Sequence, residues 1–278
     1  QNLMLICLAR KSPRHKRPTV ATRLDARFLC GFNNFFFTSS KLRATSGPAG
    51  NNMIRSLSLI GILFAKDVRI EWRRRETVAS VCVFGLLVVL IFDFGFRPAG
   101  EESLRLLPGL LWIAFAFSGI LSFNRSFEPE RENACLEGLY LSPVDPGLIY
   151  LAKLLVNLLF LGIAEAAIVL VTAVWYNFSF LPSLKWFVLI VLLGTFGYAA
   201  VGATFAAVAA NTRMREVMLP VLQFPVIFPL FIAAVEATSS ALRGSYTPEM
   251  FSWIKLLAGF AVIFTVVSYL LFEYVMGE

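Results

Sequence analysis

Long, nearly unbroken apolar runs alternate with short charged gaps from residue 57 to the end of the chain. Six of them, about Val78–Phe96, Leu106–Phe123, Ile149–Trp175, Trp186–Ala210, Val217–Val235 and Ile254–Phe272, each approach the roughly 20 apolar residues that a helix needs to cross a bilayer. Before the first run, Leu57, Ile60, Phe64, Val68 and Trp72 recur every three or four positions, with Lys66, Asp67, Arg69 and Glu71 in the gaps and Arg73, Arg74 and Arg75 directly after. That pattern predicts an amphipathic helix over 57–76 lying in the membrane surface, because the residues that follow must enter lipid.

Between the second and third runs lies a densely charged island, Asn124–Pro146, NRSFEPERENACLEGLYLSPVDP. Arg125, Glu128, Glu130, Arg131, Glu132 and Glu137 would each be costly in hydrocarbon, so the island belongs outside the bilayer. Pro129 suits a first helical turn, and Glu128, Glu130 and Glu132 complement the positive end of a helix dipole. Leu136, Leu139 and Tyr140 then recur at helical spacing. Ser142-Pro143 stops this helix, and Asp145-Pro146 opens the next as N-cap and first residue. A short amphipathic helix held between two spans predicts a docking surface for a soluble partner, formed by Glu128, Glu130, Arg131, Glu132, Leu136, Glu137, Leu139 and Tyr140.

Composition agrees with the pattern: 58% hydrophobic residues, 15% charged ones and a mean hydropathy of +0.72 describe an all-α integral membrane protein. The net charge of +7 is concentrated in residues 1–52, which hold nine Lys or Arg against Asp25 alone; 16 basic and 17 acidic residues remain beyond them. The membrane part is therefore close to neutral, and nucleic-acid binding has no support there. Residues 1–52, basic and rich in Ser and Thr, have the composition of a transit peptide and equally of translated upstream sequence. The expectation is a tail that is disordered or not part of the native protein, with 53–278 as the membrane domain. Ten flanking Lys or Arg on one side of the bilayer against five on the other put both termini and the island in the cytoplasm. Trp72, Trp175, Trp186 and Trp253 fall at span ends, where indoles prefer the interface.

Candidate chemistry inside the spans is sparse. Glu165 lies near the middle of the third run, either as a functional group facing the bundle interior or as a hydrogen-bonded link between helices. Gly162 and Ala166 beside it form a pair that permits close helix approach. Asp93 stands four residues before Arg97, which predicts an intrahelical ion pair. Ala199, Ala203 and Ala207, with Gly194, Gly197 and Gly202, predict a tightly packed fourth span. Pro220, Pro225 and Pro229 flank Gln223 in the fifth, so that helix should kink and face a partner helix or a cavity. Lys153 and Lys255 lie near span ends, from which they can snorkel to the interface. Met214, Met218 and Tyr198 have ligand chemistry but are more often packing residues. The four cysteines form no CxxC or metal pattern, no GxxxxGK[ST] phosphate loop occurs, and the one histidine, His15, lies in the tail. A haem enzyme ligating iron through imidazoles within its bundle is disfavoured.

The stretches LFAKDVRIEWRRRE, FEPERENACLEGLYLSPVD, IYLAKLLVNLLF and LPVLQFPVIFPLFI together resemble the haem exporter protein B family, CcmB, of cytochrome c maturation. The resemblance covers Met53 to Glu278 and is most specific over Phe127–Pro143; Asn133-Ala134 stands where the family usually has Asp-Gly. It implies six transmembrane helices of the ABC-2 kind, an interfacial helix before them and a cytoplasmic docking helix between spans 2 and 3. It further implies a non-catalytic subunit of the bacterial inner membrane, two copies per complex, working with a CcmA-like ATPase that binds ATP, a CcmC-like haem-handling protein, a CcmD-like small subunit and a CcmE-like haem chaperone. Haem is then a handled ligand, and this chain binds no cofactor or metal of its own. Three roles follow: a permease for haem or another substrate, a transmission or scaffold subunit driven by the ATPase, or a secondary transporter with Glu165 as proton site. Glu165, Gln223 and Pro225 are the intramembrane candidates.

Overall fold

Apolar sequence of this length becomes helix because, without water, each backbone N–H and C=O must find its partner within its own segment. The computed structural model describes residues 50–73, 75–96, 101–128, 144–176, 183–210, 212 and 214–277, and their regular structure is helical apart from turns. Seven helices follow in order: α1 (Gly50–Arg73), α2 (Arg75–Phe96), α3 (Glu101–Arg125), α4 (Pro146–Trp175), α5 (Leu184–Ala210), α6 (Arg215–Leu242) and α7 (Pro248–Gly277). Five of them, α3 to α7, are long and apolar enough to cross a membrane; the apolar part of α2, Ala79–Gly95, is shorter. Leu170, Val174, Leu192, Phe228, Val262 and Leu270 are exposed on the outside, an apolar surface suited to lipid rather than water. The chain is a multi-pass membrane protein.

Local sequence sets the helix ends. Asp145 caps α4, its carboxylate accepting the Gly147 N–H at 2.8 Å with Pro146 in the first turn, as expected. The α6–α7 turn passes through Gly244 at φ 68°, a left-handed conformation that glycine adopts without strain. The expected surface helix and first span meet at the arginine run: α1 ends at Arg73 and α2 already begins at Arg75.

The centre of the bundle is α5, which packs against α7, α6, α4 and α3. Its small residues make that possible. Gly202 lies against the Phe123 ring and Gly194 against the Trp112 ring, while Ala199 and Ala203 are fully buried. Tyr198 in turn fills the space left by Gly119 of α3 and donates to the Ala116 carbonyl at 2.6 Å. Further bonds pin neighbouring helices at chosen heights. Trp112 Nε1 donates to Thr238 Oγ1 at 3.0 Å, Tyr150 OH to the Ala200 carbonyl at 3.3 Å, and Ser118 Oγ to the Val81 carbonyl at 3.4 Å.

Two expectations are corrected, and one is met. A Cβ added at Gly162 would meet nothing within 4 Å and Ala166 is exposed, so among the described residues no other helix packs on this small pair; small size marks a tolerant site, not its direction. Helix α6 is continuous through its three prolines and faces partner helices as expected, packing against α5, α7 and α3 with Arg215, Leu219, Gln223, Ile227 and Leu230 buried, while Pro225 and Pro229 are exposed. Met214 and Met218 are exposed rather than packed.

Gly119→Val should force the buried Tyr198 ring aside and cost about 1–3 kcal/mol, typical of overpacking. Thermal unfolding in detergent should show a lowered midpoint for Gly119→Val and none for Gly162→Val, which meets open space.

Candidate functional site

The strongest concentration of buried polar groups lies where α3 ends and the charged island begins. After Arg125 the chain leaves the helix, with the Ser126 N–H bonded to the Phe123 carbonyl and Phe127 turned inward at 2% exposure. Facing this turn, Lys153 and Asn157 project from one side of α4, four residues apart. Lys153 is only 4% exposed. Its Nζ donates to the Ser126 carbonyl at 2.9 Å, pairs with Asp67 Oδ2 of α1 at 3.1 Å and sits 4.9 Å from the centre of the Phe127 ring. Asn157 Nδ2 donates to Ser126 Oγ at 3.1 Å, and Asp67 is also paired with Lys66 at 3.0 Å. One ammonium thus clasps α1, the start of the island and α4.

Electrostatics makes this clasp strong. Desolvating an ammonium is expensive, and the cost is offset only by good geometry with acceptors and a counter-ion; removing one partner of such a buried pair typically costs about 3–5 kcal/mol. Beside the clasp, Asp67, Glu71, Ser122, Ser126, Lys153 and Asn157 line a cavity of about 20 Å³, room for a single water. The next residue of the island, Glu128, lies 3.8 Å from Arg215 at the start of α6. Arg215 is 8% exposed, and among the described residues its Nε and Nη1 have no hydrogen-bond partner.

A second polar group lies inside the bundle. Glu165 of α4 is 3% exposed; the Thr195 hydroxyl of α5 donates to its Oε2 at 2.6 Å, while Oε1 has no partner among the described residues. Tyr198, one turn beyond Thr195, spends its hydroxyl on Ala116. Gln223 of α6 is wholly buried with neither amide atom bonded. At the opposite end of the span, Asp93 accepts the Trp175 indole N–H at 2.9 Å. Burial first, and then the hydrogen bond and charge of Asp93, push the neighbouring Tyr176 phenol up to about 12. Asp93 therefore reaches across to α4; the ion pair expected with Arg97 lies outside the described residues.

Of the residues expected to dock a partner, Glu128 is placed, and Glu130, Arg131, Glu132, Leu136, Glu137, Leu139 and Tyr140 lie outside the described residues, as does the docking helix. Glu165 and Gln223 are both interior, whereas Pro225 faces outward. Lys153 does not snorkel: its head is held inside by Asp67 and Ser126, while Lys255 is exposed. Sequence reasoning passed over Asp67, Ser126, Lys153, Asn157 and Arg215 as site residues. The signal available was a Lys–Asn pair on one face of a mostly apolar helix, together with Asp67 among the basic residues of the expected surface helix. Among the described residues no group of three His, Cys, Asp or Glu side chains stands close enough to hold a metal.

Thr195→Val removes the donor to Glu165 at nearly constant volume and should destabilise the bundle by about 0.6–2 kcal/mol, the range for interhelical hydrogen bonds in membranes. Thermal unfolding in detergent should rank Thr195→Val below wild type and Thr195→Ser near it; equal midpoints would mean that this bond does not hold α4 to α5.

The chain is similar to proteins called heme exporter protein B. That of Pseudomonas aeruginosa is 28% identical over 210 residues, covering 75% of this chain and 93% of the relative. Those of Paracoccus denitrificans and Rhodobacter capsulatus are 28% and 26% identical, each covering 66% of this chain and 84% and 83% of the relatives. The model of the CcmB protein family matches residues 58–274, from the amphipathic stretch of α1 through nearly all of α7, and the chain belongs to that family.

Proposed function

We propose that this chain is the membrane subunit of an ABC-type haem export complex serving c-type cytochrome biogenesis, and that it transmits the work of a partner ATPase rather than hydrolysing ATP itself. Membership of the CcmB family and its likeness to proteins called heme exporter protein B support the haem assignment. The observation that carries the transmission role is the buried Lys153 clasp, which ties the start of the charged island to α1 and α4. A loop meant to receive force from a soluble partner needs such an anchor.

On this reading α2 is the first of six spans and α1 lies along the membrane surface, with Phe64, Val68 and Trp72 beside Arg69 and Arg73 forming a lipid-facing groove. Both termini and the island are cytoplasmic, by the Lys and Arg bias, in the bacterial inner membrane. The island docks the CcmA-like ATPase through Leu136, Leu139 and Tyr140 with their acidic flank; CcmC-like, CcmD-like and CcmE-like proteins complete the haem pathway, with two copies of this subunit per complex. Haem is cargo here, not a resident group. Tyr198, Trp112 and Thr195 each direct their polar atom to another helix, which suits a mechanical bundle better than a porphyrin path.

Leu139→Asp should leave the spans inserted and abolish co-purification of the ATPase, since an unpaired charge buried at an interface costs on the order of several kcal/mol. Retained co-purification with normal ATP turnover would remove the docking role. The purified subunit alone should show no stoichiometric haem absorption, and Glu165→Gln should lower assembly or the haem-loaded fraction of the chaperone. A one-to-one haem spectrum lost on Glu165→Gln would make the chain a conduit.

A further inference from the structure

We propose that Lys153 is the positioning residue that carries movement of the charged island into the bundle, by holding the island's first turn, α1 and α4 as a single body. The proposal deepens the transmission role above and rests on it. Its ground is the convergence of three chain segments on one atom. Asp67 comes from α1, Ser126 and Phe127 from the two positions after α3, and Lys153 from α4. An ammonium has three hydrogens and accepts nothing, so it can serve a carboxylate and a carbonyl together, which no apolar side chain can.

The placement fits the path of a load. A pull on the island reaches Glu128 and then Ser126, because these are its first residues beyond α3. Ser126 is fixed to α4 twice, by Lys153 through its carbonyl and by Asn157 through its hydroxyl. It therefore cannot move away from α4 without breaking both bonds, and α1 follows through Asp67. Glu128 carries the same displacement toward the first turn of α6 through Arg215. The cavity beside the clasp, lined by both Asp67 and Lys153, has room for one water, so the ion pair can lengthen without leaving the ammonium dry. Stability alone is a poor account of the pair, since well-packed apolar replacements of buried ion pairs are often neutral or better.

The experiment uses the full chain reconstituted with its ATPase and haem-handling partners, comparing D67K, K153D, the double swap D67K/K153D and K153M. Three quantities are read: ATP turnover, haem-loaded chaperone formed per ATP, and the nucleotide-dependent distance between spin labels at Ala65 on α1 and Leu155 on α4, both exposed. The single variants and K153M should lose about tenfold or more in delivery per ATP while turnover stays within about twofold, and the swap should recover to within about threefold of wild type. Recovery is incomplete because K153D cannot donate to the Ser126 carbonyl. A merely structural pair would lower assembly and turnover together and leave delivery per ATP unchanged, which overturns the proposal. If D67K and K153D fail to assemble, normal delivery per ATP in K153M overturns it equally. If the wild type delivers no haem, the export reading falls, and the clasp is judged by the label distance: a nucleotide response lost in K153M and regained in the swap supports it, and a response unchanged in K153M overturns it.

Discussion

Once apolar helices are in lipid, burying their side chains against one another gains little, because the lipid tails are as apolar as the partner helix. What remains is close packing and the need of each polar group for a partner in a medium without water. Both are visible in this chain. Glycines and alanines of α5 admit Phe123 and Trp112 to the bundle centre, and Tyr198, Trp112, Tyr150 and Thr195 each send one hydrogen bond to a different helix. Those bonds fix rotation and height, which apolar contact alone leaves free.

The same constraint explains why the end of the bundle near the charged island differs from its middle. Along the middle, polar atoms are few and mostly neutral. Near the island three charged groups, Asp67, Lys153 and Arg215, are each less than 9% exposed. Asp67 and Lys153 meet each other and Lys153 also a carbonyl, while Arg215 lies beside Glu128, and these partners come from segments distant in sequence. The interior is joined by neutral bonds and the boundary by ion pairs.

Much of this was readable from the residues. The apolar runs located the helices to within a few positions, Asp145-Pro146 marked the start of α4, and the small-residue face of α5 announced its packing. What failed had a common cause: periodicity says which residues share a face, not which face turns inward. Gly162 and Ala166 looked like a contact within the chain, yet Ala166 is exposed and nothing stands against Gly162. Lys153 looked like a snorkelling end residue, because its counter-ion sits on a helix that no local spacing connects to it. Asp93 accepts an indole N–H from α4, a contact that spacing along its own helix does not announce. Long-range polar pairs are the part of a membrane bundle that a single sequence conceals.

The central claim is that the charged island and α1 move with α4 as one body under the ATPase. An electron cryo-microscopy comparison of the complex without nucleotide and with ATP bound tests it most directly. The account predicts the island seated on the ATPase in both states, with Lys153 Nζ still against Asp67 and Ser126 while the three segments shift together relative to α5. Separation of α1 from α4 between the two states, or an ATPase seated on some other segment with the island untouched, would contradict it.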